Sequence, residues 1–169
     1  QEKGSWNYSN IKIVGNSFSK PTSAAWDGVI RSTSGLAGAS SISFAPKQSS
    51  KDFVIGFTPS PGLGQSYDDV KWGIYCGSDG ILWESVSGGL TSLNATYSAG
   101  DALTVEFDGK NIRYLKNGAL LRSKAVNVSQ PLYAEGFFYQ QGDHIEDLQF
   151  RQGTGFNNNA AGLVTFLNG

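Results

Sequence analysis

Apolar and polar positions alternate with a period of two along most of this chain. Leu103, Val105 and Phe107 alternate with Thr104 and Glu106. Asp108-Gly109 interrupts the pattern, Ile112 and Tyr114 resume it, and Asn117-Gly118 interrupts it again. One apolar side chain in two marks a strand with one buried and one wet face. Asp-Gly and Asn-Gly supply the positive φ angles of a tight type I′ hairpin. The stretch Tyr97 to Gly118 therefore predicts a three-stranded antiparallel meander.

The same period recurs upstream. Phe53, Ile55 and Phe57 share one face of a strand over 52–58. Residues 70–76 and 81–86 form a hairpin across Gly77-Ser78-Asp79-Gly80, with Trp72, Ile74 and Cys76 on one face and Ile81 and Trp83 on a face of the return strand. Shorter patterns predict strands over 10–14, with Ile11 and Ile13 together, over 41–45, ended by Pro46, and over 145–150, with Leu148 and Phe150 inward. Val29-Ile30 follows a turn at Trp26-Asp27-Gly28. Residues 132–139 are almost wholly apolar. Such a strand is either buried between layers or exposes one face for recognition. Residues 17–25, 33–40 and 87–94 read as polar loops, the last anchored by Leu90 or Leu93, and 59–66 as a long exposed loop. Residues 1–4 read as a frayed end. No helical period is evident. The fold class is all-β, a two-sheet antiparallel β-sandwich.

Composition sharpens this picture. The 169 residues suit one domain over 1–152. A polar break follows at 153–159, then an apolar C-terminal tail to 169, expected to pack on the body or on a neighbouring chain. Net charge is −1 and only 16% of residues are charged, so Ser, Asn, Gln, Thr and Gly must solvate the surface. The chain has no basic cluster, which argues against nucleic acid, and no long apolar run, which argues against membrane insertion. Cys76 is the single cysteine, so no internal disulfide forms. The chain begins at Gln1 and lacks methionine, as expected of a domain cut from a longer protein or of a processed chain.

Tyr97-x-x-Gly100-Asp101-x-Leu103-x-Val105-x-Phe107-Asp108-Gly109, followed by Ile112-x-Tyr114-x-Lys116-Asn117-Gly118, resembles the signature of SPRY-type and related concanavalin-like sandwich domains. Trp72-Gly73-Ile74-Tyr75 and Gly80-Ile81-Leu82-Trp83 resemble preceding strands of that fold. The likeness covers roughly 53–150. It implies a concanavalin-like or SPRY-like jelly roll, and a binding module that recognises a protein or a glycan through its loops. Its matching residues are turn formers and core positions, so it transfers no site residue.

Candidate chemistry is sparse. Glycosidases of the laminarinase type use Glu-x-Asp-x-x-Glu. The nearest match, Glu106 to Asn111, has Asn111 in place of the second glutamate. Glu146 and Asp147 are adjacent and point to opposite faces. A Cys76–His144 nucleophile pair is conceivable, but Cys76 sits on an apolar strand face, where free cysteine acts as a small hydrophobe. Zinc lacks ligands. Asp68, Asp69 and Asp79 are candidate calcium ligands, but without EF-hand spacing they read as solvated loop residues, so no metal and no cofactor is expected.

What remains is a set of aromatic and amide side chains suited to stacking on a sugar ring and bonding its hydroxyls. The candidate ligand-binding residues are Trp26, Tyr67, Asp68, Asp69, Tyr75, Tyr139, Gln140, Gln141 and His144. The expected function is non-catalytic binding of a cell-surface glycan or protein receptor. The expected setting is extracellular or on a virion, at the tip of a phage tail fibre or adhesin, with a tail that allows a homotrimer. The rivals are a glycan-cleaving enzyme using Glu84, Glu106 or Glu135, and a SPRY-like protein-interaction module.

Overall fold

The computed structural model describes residues 6–62 and 66–154. The apolar tail and the end of the polar break lie outside them. Fourteen strands among the described residues form two seven-stranded antiparallel sheets. In chain order they are β1 (Trp6–Ser9), β2 (Lys12–Val14), β3 (Ser17–Ser19), β4 (Gly28–Ser32), β5 (Ser40–Pro46), β6 (Phe53–Thr58), β7 (Trp72–Cys76), β8 (Ile81–Val86), β9 (Gly89–Thr96), β10 (Leu103–Phe107), β11 (Asn111–Lys116), β12 (Ala119–Ala125), β13 (Tyr133–Phe138) and β14 (His144–Gln152). The first sheet runs β1-β4-β13-β6-β7-β8-β9 and the second β12-β11-β10-β5-β14-β3-β2.

The core lies between the sheets, as the alternation requires. Phe53, Ile55 and Phe57 from β6, Trp72, Ile74 and Cys76 from β7, and Leu103, Val105 and Phe107 from β10 are all buried there. Phe53 stacks on Phe138 with ring centroids 5.5 Å apart. Full burial of each such side chain stabilises the fold by roughly 1.5–3 kcal/mol.

The meander forms as β10–β11–β12, but its two turns differ. Asn117 and Gly118 both have positive φ, 51° and 83°, which is the type I′ pattern. At the other turn Gly109 has φ 103° while Asp108 keeps an ordinary backbone. Asp108 pairs with Asn111 through its N–H, and its Oδ1 accepts the N–H groups of Lys110 and Asn111. Glycine is thus the first central residue, the II′ arrangement, and the aspartate caps the turn.

Three strands carry no alternation in the sequence: β1, β3 within the expected 17–25 loop, and β9 within the expected 87–94 connection. All three lie at or near sheet edges, and each places a single side chain in the core, Trp6, Phe18 and Leu93, too few to write a period of two. In β9 Leu93 is the anchor, 4% exposed against 40% for Leu90. The predicted strand over 10–14 is broken at Asn10, which has φ 54°, and only Lys12–Val14 pairs.

Candidate functional site

The register of the first sheet lays out two rows on its outer face. Val29 opposes Phe137, Phe137 opposes Val54, Val54 opposes Tyr75 and Tyr75 opposes Trp83. Two residues along, Arg31 opposes Glu135, Glu135 opposes Gly56, Gly56 opposes Gly73 and Gly73 opposes Ser85. Side chains two apart share a face, so an apolar row and a polar row run side by side across the sheet.

The glycines explain what covers them. A Cβ on Gly73 would stand 2.8 Å from Val70 Cγ1, so the missing side chain lets the short 3-10 turn Tyr67–Asp69 settle on the sheet. Val70, Val54 and Phe137 form a second, smaller buried cluster there, with Trp26, Val29, Tyr67 and Tyr75 packed against it. Trp26 is the hub. Its ring centroid lies 4.8 Å from Tyr67, 4.9 Å from Tyr139 and 5.9 Å from Tyr75, within the range of favourable aromatic contacts. All four rings are half-buried.

A buried ammonium shapes the loop that carries Trp26. The Lys20 side chain is wholly unexposed and lies 3.0 Å from Asp27 Oδ1. Its Nζ donates to Thr22 O at 3.1 Å, to Thr22 Oγ1 at 3.0 Å and to the Ser23 carbonyl. Gly28 makes room for the lysine stem, because a Cβ there would stand 3.1 Å from Lys20 Cδ. Ala25 N–H bonds Tyr139 O at 3.0 Å, and Asn10 Nδ2 bonds Asp27 O at 3.0 Å. The loop of residues 20–27 is thereby tied to its neighbours on both sides.

Beside Trp26 lies a pocket of about 300 Å³, lined by Ser9, Asn10, Trp26, Asp27, Val29, Arg31, Gly62 and Phe137. Arg31 Nε donates to Glu135 Oε2 at 2.7 Å, and its guanidinium carbon sits 5.7 Å from the centre of the Phe137 ring. The Glu135 side chain has no exposed surface. Burial pushes its pKa up to about 8, aided by a hydrogen bond with Asp69 and opposed by Arg31. Among the described residues Glu135 Oε1 meets no N–H or hydroxyl donor. Two carboxyl groups in contact share a proton, so Glu135 is the donor to Asp69. Asp69 Oδ2 also accepts Gly62 N–H at 3.3 Å, which fastens the start of the 59–69 loop.

The structure thus brings together five of the predicted residues: Trp26, Tyr67, Tyr75, Tyr139 and Asp69. Asp68 is adjacent and exposed. Gln140 and Gln141 act as struts: Gln140 Oε1 accepts Asp52 N–H and Gln141 Nε2 donates to Pro21 O. His144 is not part of the group. It opens β14 in the other sheet, 3.8 Å from Glu146. Arg31, Asn10, Phe137 and Lys20 were missed. Phe137 was detectable as the outer side of the doubly apolar 132–139 strand; the other three left no local signal.

Glu84, Glu106 and Glu135 do not converge. Each pairs with its own arginine, Arg122 at 2.9 Å, Arg113 at 2.8 Å and Arg31 at 2.7 Å. Glu84 faces inward, its opposite residue being the buried Ile74, whereas Glu106 and Glu135 leave the outer faces of different sheets. Cys76 is fully buried, and burial pushes its thiol pKa up, the reverse of what a nucleophile needs. Among the described residues no group of three or more His, Cys, Asp or Glu could hold a metal ion.

No family model and no curated protein matches the sequence. Solved structures do match in fold. A human SPRY domain superposes with a TM-score of 0.63 at 15% identity, over 85% of this chain and 96% of its own. The SPRY domain of human HERC1 gives 0.59 at 16%, over 86% and 94%. The metal-free Emp46p carbohydrate recognition domain gives 0.66 at 9%, over 91% of both chains.

Proposed function

We propose that this domain, in fold a SPRY-like, concanavalin-like β-sandwich, is a non-catalytic recognition module for a glycan, which it holds in the Trp26 pocket. The single observation that carries this reading is the pocket's make-up. The Trp26 indole, braced from outside the pocket by three tyrosines, lines it together with Phe137, and an amide, a hydroxyl, a guanidinium and the Asp27 carboxylate sit beside them. A pocket near the small end of the usual ligand range, with an aromatic platform and a few placed polar groups, suits one ring. A solved carbohydrate recognition domain of the same fold supports it. Among the described residues the one contacting carboxyl pair, Glu135 with Asp69, has its glutamate buried rather than facing an open cleft as glycoside hydrolysis requires, which favours binding over cleavage.

A chain with only 16% charged residues suits an extracellular or virion-exposed setting, with the module as the receptor-binding part of a tail fibre or adhesin. Trp26→Ala tests the reading. Glycan-array hits retested by titration calorimetry should weaken by about 2 kcal/mol, roughly 30-fold, the scale of an aromatic hot spot. Unchanged binding in this variant would remove the pocket from the account. Turnover of the bound glycan would replace recognition by catalysis, and capture of a peptide with no array hit would favour a protein ligand.

A further inference from the structure

We infer that the ring held on Trp26 belongs to an acidic sugar, whose carboxylate is received by the outward edge of the Arg31 guanidinium. This rests on the glycan reading above and adds the ligand's charge. Arg31 has five N–H donors in a fixed fork, and among the described residues only its Nε finds a partner, Glu135 at 2.7 Å. Among the described residues no acceptor meets its two terminal nitrogens. The side chain is 26% exposed and lines the pocket with Trp26. The rigid strand pairing of Arg31 with Glu135, and the Phe137 ring under the guanidinium, fix the direction of the unused edge. An arginine oriented in this way is built for bidentate recognition of a carboxylate.

The other charge on the pocket wall does not oppose this. Asp27 is held by the buried Lys20 ammonium at 3.0 Å. Glu135, the partner of Arg31, keeps its proton at neutral pH, so Arg31 touches a neutral carboxyl and the Glu135–Asp69 pair carries one negative charge rather than two. Asn10 spends its amide nitrogen on Asp27 O, which leaves its carbonyl oxygen as an acceptor for a ring hydroxyl.

Two matched probe pairs test the inference by calorimetry: trigalacturonate against its methyl ester, and sialyllactose against lactose. At low salt the intact protein should bind the acidic member of at least one pair about tenfold more tightly, and the preference should shrink as salt is raised. The pair that responds distinguishes a uronate from a sialate. Arg31→Gln should abolish the preference, and Arg31→Lys should keep a part of it, because the charge stays and the fork is lost. The Lys variant also covers the case in which Arg31→Gln fails to fold. Equal affinity for both members of each pair, or a preference that survives in Arg31→Gln, would overturn the inference. Trp26-dependent binding of neutral glycans alone would sink the acidic ligand and leave the glycan reading standing. Absence of any Trp26-dependent glycan binding would sink both.

Discussion

Lys20→Met should lower the unfolding free energy by about 3 kcal/mol and cost the pocket its ligand even where the protein still folds. The side chain has no exposed surface and its ammonium is surrounded by four oxygens, two of Thr22 and one each of Ser23 and Asp27. Breaking a buried pair by removing one partner costs roughly 3–5 kcal/mol. The low end applies because the Asp27 carboxylate is 49% exposed and regains water when the ammonium goes. The Thr22 and Ser23 oxygens then lose their donor, and the loop from Pro21 to Asp27 loses its centre. Methionine keeps the stem that fills the space beside Gly28, so cavity formation adds little. Arginine does not restore the site, because a planar fork cannot replace a compact ammonium among oxygens arranged around one point. Urea unfolding gives the stability, and near-ultraviolet circular dichroism reports the Trp26 environment. A variant within 1 kcal/mol of the parent, with its aromatic signal intact, would show that the loop holds itself together.

This lysine illustrates what the sequence could and could not convey. Strands β6, β7, β8, β10 and β11 are legible because one face of each packs on the core, so burial writes itself into every second residue. The rows across the first sheet are not. Val29, Phe137, Val54, Tyr75 and Trp83 are neighbours only through a register spanning five strands, and no local window contains more than one such pairing. Residue type alone picked out Trp26, Tyr67, Tyr75 and Tyr139, since aromatic side chains beside loops are natural candidates for recognition. Residue type also named His144, which lies in the other sheet, and Gln140 and Gln141, whose side chains brace backbone. Lys20 carries a residue type that is almost never fully buried. Only the fold, by bringing carbonyls of the following turn around its ammonium, makes burial tolerable.

The second large effect is an inverted dependence of stability on pH. Glu135 is raised from 4.5 to about 8, mainly by burial and then by Asp69, against Arg31. Asp143 is raised from 3.8 to about 7, first by burial and then by Asp52, although its Oδ2 accepts the N–H groups of Tyr139 and Gln140. Both acids therefore keep a proton in the folded chain over a range in which the unfolded chain has lost it. Stability falls as pH rises wherever the folded state binds more protons. Their contribution is whole below about pH 4, declines between the unfolded and folded values, and is exhausted above about pH 8. Each group removes about 1.4 kcal/mol per pH unit inside its window, so the two together amount to several kcal/mol. Asp101 and Asp108, held below the usual carboxylate range, act oppositely and weaken the fold only in stronger acid. The maximum should therefore lie near pH 4, with urea midpoints dropping steadily at pH 5, 6, 7 and 8. Glu135→Gln keeps both contacts, its carbonyl accepting from Arg31 and its amide donating to Asp69, and carries no proton to lose. It should flatten the slope by one proton equivalent and be more stable than the parent at pH 8, while Asp143→Asn should remove the remainder. A parent whose stability is level or rising from pH 5 to 8, or a Glu135→Gln variant with an unaltered slope, would mean that these carboxyls ionise in place and that the Arg31 charge is spent within the protein.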